Sequence, residues 1–145
     1  MTRSIRLRSA AVAAGSALTF VLGAGFADAA PAAADPEKQY TAEQVRSFLV
    51  GFYGQHGPSR YDREHKVTPE LRKKAAETKD YDLLLCAQNE PRGISVGKVT
   101  TAQSAGVGWS TVTTRWNGSP DGRFTAYVGL DASKPMKLYD ISCAR

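Results

Sequence analysis

The side chains able to do acid–base work are few and scattered. His56 and His65 are the chain's histidines. An imidazole titrates near neutral pH, so either could act as a general acid or base. No serine or cysteine nucleophile pattern accompanies them, and two solvated loop imidazoles are the simpler expectation. Asp80 and Asp82, two positions apart, could form a carboxylate pair. One cap and one surface charge beside Lys79 would explain them as well. Asp140 stands inside a strand-like segment, where a carboxylate is uncommon. With Tyr53 or Tyr139 it could make an acid–base pair. The favoured alternative is a structural carboxylate bonded to buried backbone or a tyrosine. A pocket built around these groups would draw on Phe52, Tyr53, His56, Tyr61, Tyr81, Gln88 and Asp140. No catalytic set is expected. Cys86, Cys143, His56 and His65 have no metal-ligand spacing, so neither a metal nor a cofactor is expected.

The elements that must place these residues begin at Tyr40. Thr41-Ala42-Glu43-Gln44 is a capping box, with Tyr40 before it set to pack on Val45 as a hydrophobic staple. Val45, Phe48, Leu49, Phe52 and Tyr53 then make one apolar helical face, which Gly54 and Gly57-Pro58 end. Residues 59–67 are charged and read as a polar connection. Thr68-Pro69-Glu70-Leu71 starts a second helix, with Thr68 as cap, Pro69 at its first position and Leu71 and Ala75 turned inward. Asp82 is placed to cap a short turn running into Leu83-Leu84-Leu85-Cys86.

From Ile94 the pattern changes to strands, over residues 94–101, 108–116, 123–130 and 136–143. Asn117-Gly118-Ser119-Pro120-Asp121-Gly122 forms a hairpin loop. Short connections imply an antiparallel meander. Helices first and strands after imply an α+β fold, with N-terminal helices packed in a curved antiparallel sheet. Trp109 and Trp116 differ in parity, so at most one faces the helices.

The chain has 145 residues, 42% hydrophobic and 23% charged, which fits one globular domain. Arg3, Arg6 and Arg8 precede a run of apolar and small residues from Ala10 to Phe26, and Ala27-Asp28-Ala29 offers a cleavage site before Ala30. Residues 1–29 are therefore expected to be a secretory signal peptide. Residues 30–39, rich in Ala and Pro, are expected to be a disordered lead-in and residues 40–145 a single domain. Removing the leader lowers the net charge from +5 to +3. That balance, with no basic stripe interleaved with aromatics, is too mild to argue for nucleic acid, so no nucleic-acid partner is expected, and no membrane partner once the leader is gone. Two cysteines in an exported chain predict one disulfide, Cys86–Cys143, pinning the last strand to the middle of the protein.

The order of parts resembles the nuclear-transport-factor-2-like, or cystatin-like, superfamily, and within it small exported bacterial domains of unknown function. The resemblance rests on Phe52-Tyr53 in the opening helix, Thr68-Pro69-Glu70-Leu71, Leu84-Leu85-Cys86-Ala87-Gln88-Asn89 and the closing Lys137-Leu138-Tyr139-Asp140-Ile141. Met136 stands where that family commonly has a Trp. The resemblance implies a cone: a bent sheet around the first helix, open at one end, with the opening used for ligands, active sites or protein contacts. Fold likeness does not fix function. The leading expectation is an exported, non-enzymatic binding module whose cone takes a small ligand or a partner peptide. A second is a secreted interaction factor that uses its outer sheet face or a strand edge. A third is a hydrolase or isomerase with Asp140 or His56 as base. The expected partner is a small ligand or an extracellular protein, with a homodimer a further expectation that the superfamily implies.

Overall fold

A computed structural model describes residues 38–144, which belong to the unit Pro31–Arg145. The expected signal peptide, its cleavage point and most of the lead-in lie outside the described residues. The end of the lead-in is ordered rather than disordered, because Gln39 bridges to Asp131 and the Lys38 carbonyl accepts from the Ala132 N–H at 2.8 Å. The protein is α+β. Helices α1 (Ala42–Tyr53), α2 (Arg60–His65) and α3 (Pro69–Glu77) precede strands β1 (Gly93–Ala102), β2 (Val107–Arg115), β3 (Gly122–Gly129) and β4 (Leu138–Cys143). The strands form one antiparallel sheet in the order β1-β2-β3-β4.

Helix α1 starts as its sequence demands. The Thr41 hydroxyl accepts from the Gln44 N–H, and the Gln44 side chain accepts from the Thr41 N–H. Two donors that the helix cannot satisfy itself are thereby paired. Its apolar stripe buries Val45, Leu49, Phe52 and Tyr53. These join Leu71 of α3, Leu83, Leu84 and Leu85, and the strand residues Val99, Val112, Phe124, Ala126, Val128, Leu138 and Ile141 in one cluster. Tyr53 meets Phe124 of β3 edge-on at 5.5 Å between ring centroids, and Phe52 meets Tyr53 at 5.0 Å. Each such side chain contributes about 1.5–3 kcal/mol through burial.

The connection 59–67 contains a helix that its sequence did not predict. Helix α2 has no buried residue, so it carries no apolar stripe for periodicity to detect. It stands on local polar bonds. The Ser59 hydroxyl caps the Asp62 N–H, and the pairs Arg60–Glu64 and Asp62–Lys66 bridge one turn at 3.1 and 2.8 Å.

Both edge strands bulge. Between Val96 and Val99 the β1–β2 register shifts, and between Tyr127 and Val128 the β3–β4 register does the same. Edge bulges discourage further strand pairing. Beyond β4 the edge is also covered, because Leu138 exchanges backbone hydrogen bonds with Lys66 and Thr68, both at 2.9 Å. The last residue of β4, Cys143, is bonded to Cys86 with 5.6 Å between their Cα atoms. Cys86 holds a positive φ of 50° in a tight loop where Asp82 and Ala87 form a bridge. A side chain pays a steric penalty in that region, and the bond to β4 helps hold it there. Among the described residues no helix is long and apolar enough to cross a membrane.

Candidate functional site

The residues expected to share one pocket are divided among separate places. Phe52 and Tyr53 are 1% and 0% exposed and belong to the core. They line none of the described clefts because the helix-facing side of the sheet is filled by side chains. His56 and Gln88 come together, in an open cleft of about 270 Å³. Tyr61 is exposed on α2, its ring stacked on His65 at 4.1 Å. Tyr81 lines another depression, with Lys74, Leu83, Ile141 and the disulfide. Asp140 lies on β4, where its Oδ1 accepts from Lys74 Nζ at 3.1 Å and from the Ile141 N–H at 2.9 Å. Half-exposed and bonded to these groups, it shares no hydrogen bond with Tyr53, whose hydroxyl has no partner among the described residues.

The cleft with His56 and Gln88 has a mostly polar lining. It is lined also by Arg63, Asp82, Leu85 and Glu90. Arg63 donates from Nε to the Pro58 carbonyl at 3.1 Å and from one terminal nitrogen to Asp82 Oδ2 at 2.6 Å. The other Asp82 oxygen accepts from the Leu84 N–H at 3.0 Å, which closes the loop. Asp82 is thus the cap of a turn and the partner of an arginine, rather than half of a carboxylate pair with Asp80. His56 Nδ1 donates to the Pro91 carbonyl at 3.0 Å, and its side chain is 52% exposed. His65 Nδ1 likewise donates to the Tyr61 carbonyl at 2.9 Å. Behind the Arg63–Asp82 pair, the Tyr53 hydroxyl is buried without a hydrogen-bond partner among the described residues. Burial first, and the Asp82 charge second, raise its pKa well above the ordinary tyrosine value, against an opposing pull from Arg63.

The other face of the sheet has a different character. On β2 the residues Gly108, Ser110, Val112 and Thr114 are buried, whereas Trp109, Thr111, Thr113 and Arg115 are half-buried or exposed. On β3 the same alternation buries Phe124, Ala126 and Val128 and turns Arg123, Thr125 and Tyr127 outward. Trp109 pairs with Tyr127 across the ladder, with centroids 6.5 Å apart. Tyr139 follows, 6.2 Å from Tyr127. The β4 bulge puts it there: Leu138 pairs with Val128 and Asp140 with Tyr127, which leaves Tyr139 as the extra residue. Burial first, then Asp140 and Tyr127, raise the Tyr139 pKa. Next to Tyr139 an open cleft of about 430 Å³ is lined by Thr68, Gly129, Asp131, Lys134, Pro135 and Lys137.

This aromatic row was not expected from sequence, which had placed Trp109 by parity alone. A signal was present. Leu138 and Ile141 are apolar three apart, as are Val96 and Val99. A strict two-residue alternation cannot turn both members of such a pair inward, so the spacing itself calls for a bulge in each edge strand. No family model matches the chain, and neither does any curated protein or solved structure.

Proposed function

We propose that this protein is an exported, non-enzymatic binding module that engages an extracellular partner through the outer face of its sheet. The observation that carries the proposal is the row Trp109–Tyr127–Tyr139, three aromatic side chains on neighbouring strands with ring spacings of 6.5 and 6.2 Å. Partly exposed aromatic rings in a contiguous patch are what binding surfaces use, because a large, stiff ring buries much area at small entropic cost. Export is supported by the leader-like sequence of residues 1–29 and by the Cys86–Cys143 bond, which fits an oxidising compartment. The helix-then-meander order supports kinship with the nuclear-transport-factor-2-like superfamily, to which we assign the chain as part of the same proposal.

The cone interior, the leading expectation from sequence, has less in its favour. Phe52 and Tyr53 fill it as core side chains. The polar cleft around His56 is also a weaker candidate, since Arg63 and Asp82 satisfy each other and Glu90, 75% exposed, lies 3.9 Å from a half-exposed imidazole.

The test is retention on cell-envelope material. Wild-type mature protein should be retained, Trp109→Ala/Tyr127→Ala should be lost to the wash, and His56→Ala/Gln88→Ala should behave as wild type. Equal retention of the aromatic variant would remove the outer face as the working surface.

A further inference from the structure

The outer face is organised in rows that cross the strands, and each row has its own chemistry. One row runs Thr100–Trp109–Tyr127–Asp140, with Tyr139 bulged beside it. The next runs Thr111–Thr125–Ser142, with Lys98 at its β1 end, inside the bulge. Beyond it stand Thr113 and Arg123, paired across β2 and β3, and then Arg115. An aromatic shelf therefore borders a shelf of hydroxyls.

We infer that the partner is an anionic polysaccharide lying along the aromatic row; this rests on the outer face being the binding surface. A sugar ring is amphipathic in the same sense as this face. Its C–H side packs on an aromatic ring, and its rim of hydroxyls needs donors and acceptors alongside. Thr111, Thr125 and Ser142 supply groups that do both. Protein-binding hot spots favour Trp, Tyr and Arg but are poor in Ser and Thr, so the hydroxyl row fits a glycan better than a protein. The charges set the sign of the ligand. Lys98, Arg115 and Arg123 are exposed, whereas Asp140, the acid of the aromatic row, is taken up by Lys74 at 3.1 Å. The face is left net positive, complementary to carboxylate-bearing sugars.

Three uronic-acid polymers (polygalacturonate, alginate and hyaluronate), neutral dextran and polyglutamate make the test, with binding followed by calorimetry on the mature, oxidised protein. At least one uronic-acid polymer should bind, more tightly than dextran or polyglutamate, and binding should weaken with salt. Trp109→Ala should weaken it about tenfold. Thr111→Val/Thr125→Val keeps side-chain shape and, with an unchanged melting temperature, should weaken it several-fold. Arg123→Glu should lower affinity for the charged polymers only. Polyglutamate binding as tight as the best glycan and indifferent to Trp109→Ala would reduce the face to a charge patch and overturn the inference. Absence of binding to all three uronic polymers would also overturn it. If Trp109→Ala/Tyr127→Ala still abolished envelope retention in that case, the outer-face reading would survive with a different partner. If retention were unchanged, both would fall.

Discussion

Trp109 and Tyr127 are register partners on the two central strands, with ring centroids 6.5 Å apart on the side of the sheet opposite α1. Their neighbours along the same strands, Ser110, Val112, Ala126 and Val128, are buried. The pair therefore separates what the fold needs from what a partner would use. A cross-strand aromatic contact on a wet face is worth roughly 0.2–1 kcal/mol.

Tyr127→Ala should accordingly lower unfolding free energy by about 1 kcal/mol or less, whereas Phe124→Ala, three residues away but 2% exposed, should cost about 3–5 kcal/mol. Urea denaturation distinguishes them. Equal losses would mean that Tyr127 belongs to the core.

Tyr53→Phe should stabilise the protein. The hydroxyl is buried without a partner among the described residues, and an unsatisfied buried polar group costs about 1–3 kcal/mol. The same substitution should change the alkaline limb of stability. The folded hydroxyl keeps its proton where the unfolded one releases it, so its contribution is complete below the ordinary tyrosine pKa of about 10 and is lost as pH rises above that value. Melting curves between neutral pH and the alkaline range should fall more gently for Tyr53→Phe. Destabilisation at neutral pH would reveal a partner for the hydroxyl.

The Cys86–Cys143 bond closes a loop with a sequence separation of 57. Chain entropy assigns such a loop about 4 kcal/mol, a large part of the ~5–15 kcal/mol typical of a domain. Cys86→Ala/Cys143→Ala should lower the denaturation midpoint by a corresponding amount, with the left-handed backbone at residue 86 relaxing. A midpoint unchanged by the double substitution would contradict this account of the bond.

Thr41→Ala removes one arm of the capping box and should cost about 1 kcal/mol, read from the same denaturation curves. Gln44→Ala, which removes the reciprocal arm, should cost less than Thr41→Ala. The reverse order would mean that the side-chain bond to the Thr41 N–H is the stronger of the two.

The framework was legible because its signals are local. Thr41 and Gln44 fix the start of α1, Thr68 and Pro69 fix the start of α3, and Asn117-Gly118 turns β2 into β3, with Gly118 at φ 73°. The disulfide followed from there being two cysteines. The site was less legible. Tyr53 and Asp140 both looked available to a pocket, but side-chain packing puts the first in the core and an ion pair from a different element, Lys74, occupies the second. Helix α2 was missed because Ser59, Arg60, Asp62, Glu64 and Lys66 hold it by polar bonds, with no apolar face for the pattern to reveal. Tyr139 joins Tyr127 through a register shift, which depends on the partner strand as much as on β4 itself.

Amide chemical-shift mapping of the isotope-labelled mature protein, titrated with cell-envelope polysaccharide, tests the central claim most directly. The perturbed amides should cluster at Trp109, Thr111, Thr125, Tyr127 and Tyr139. A cluster at His56, Arg63 and Gln88 instead, with the strands silent, would contradict it.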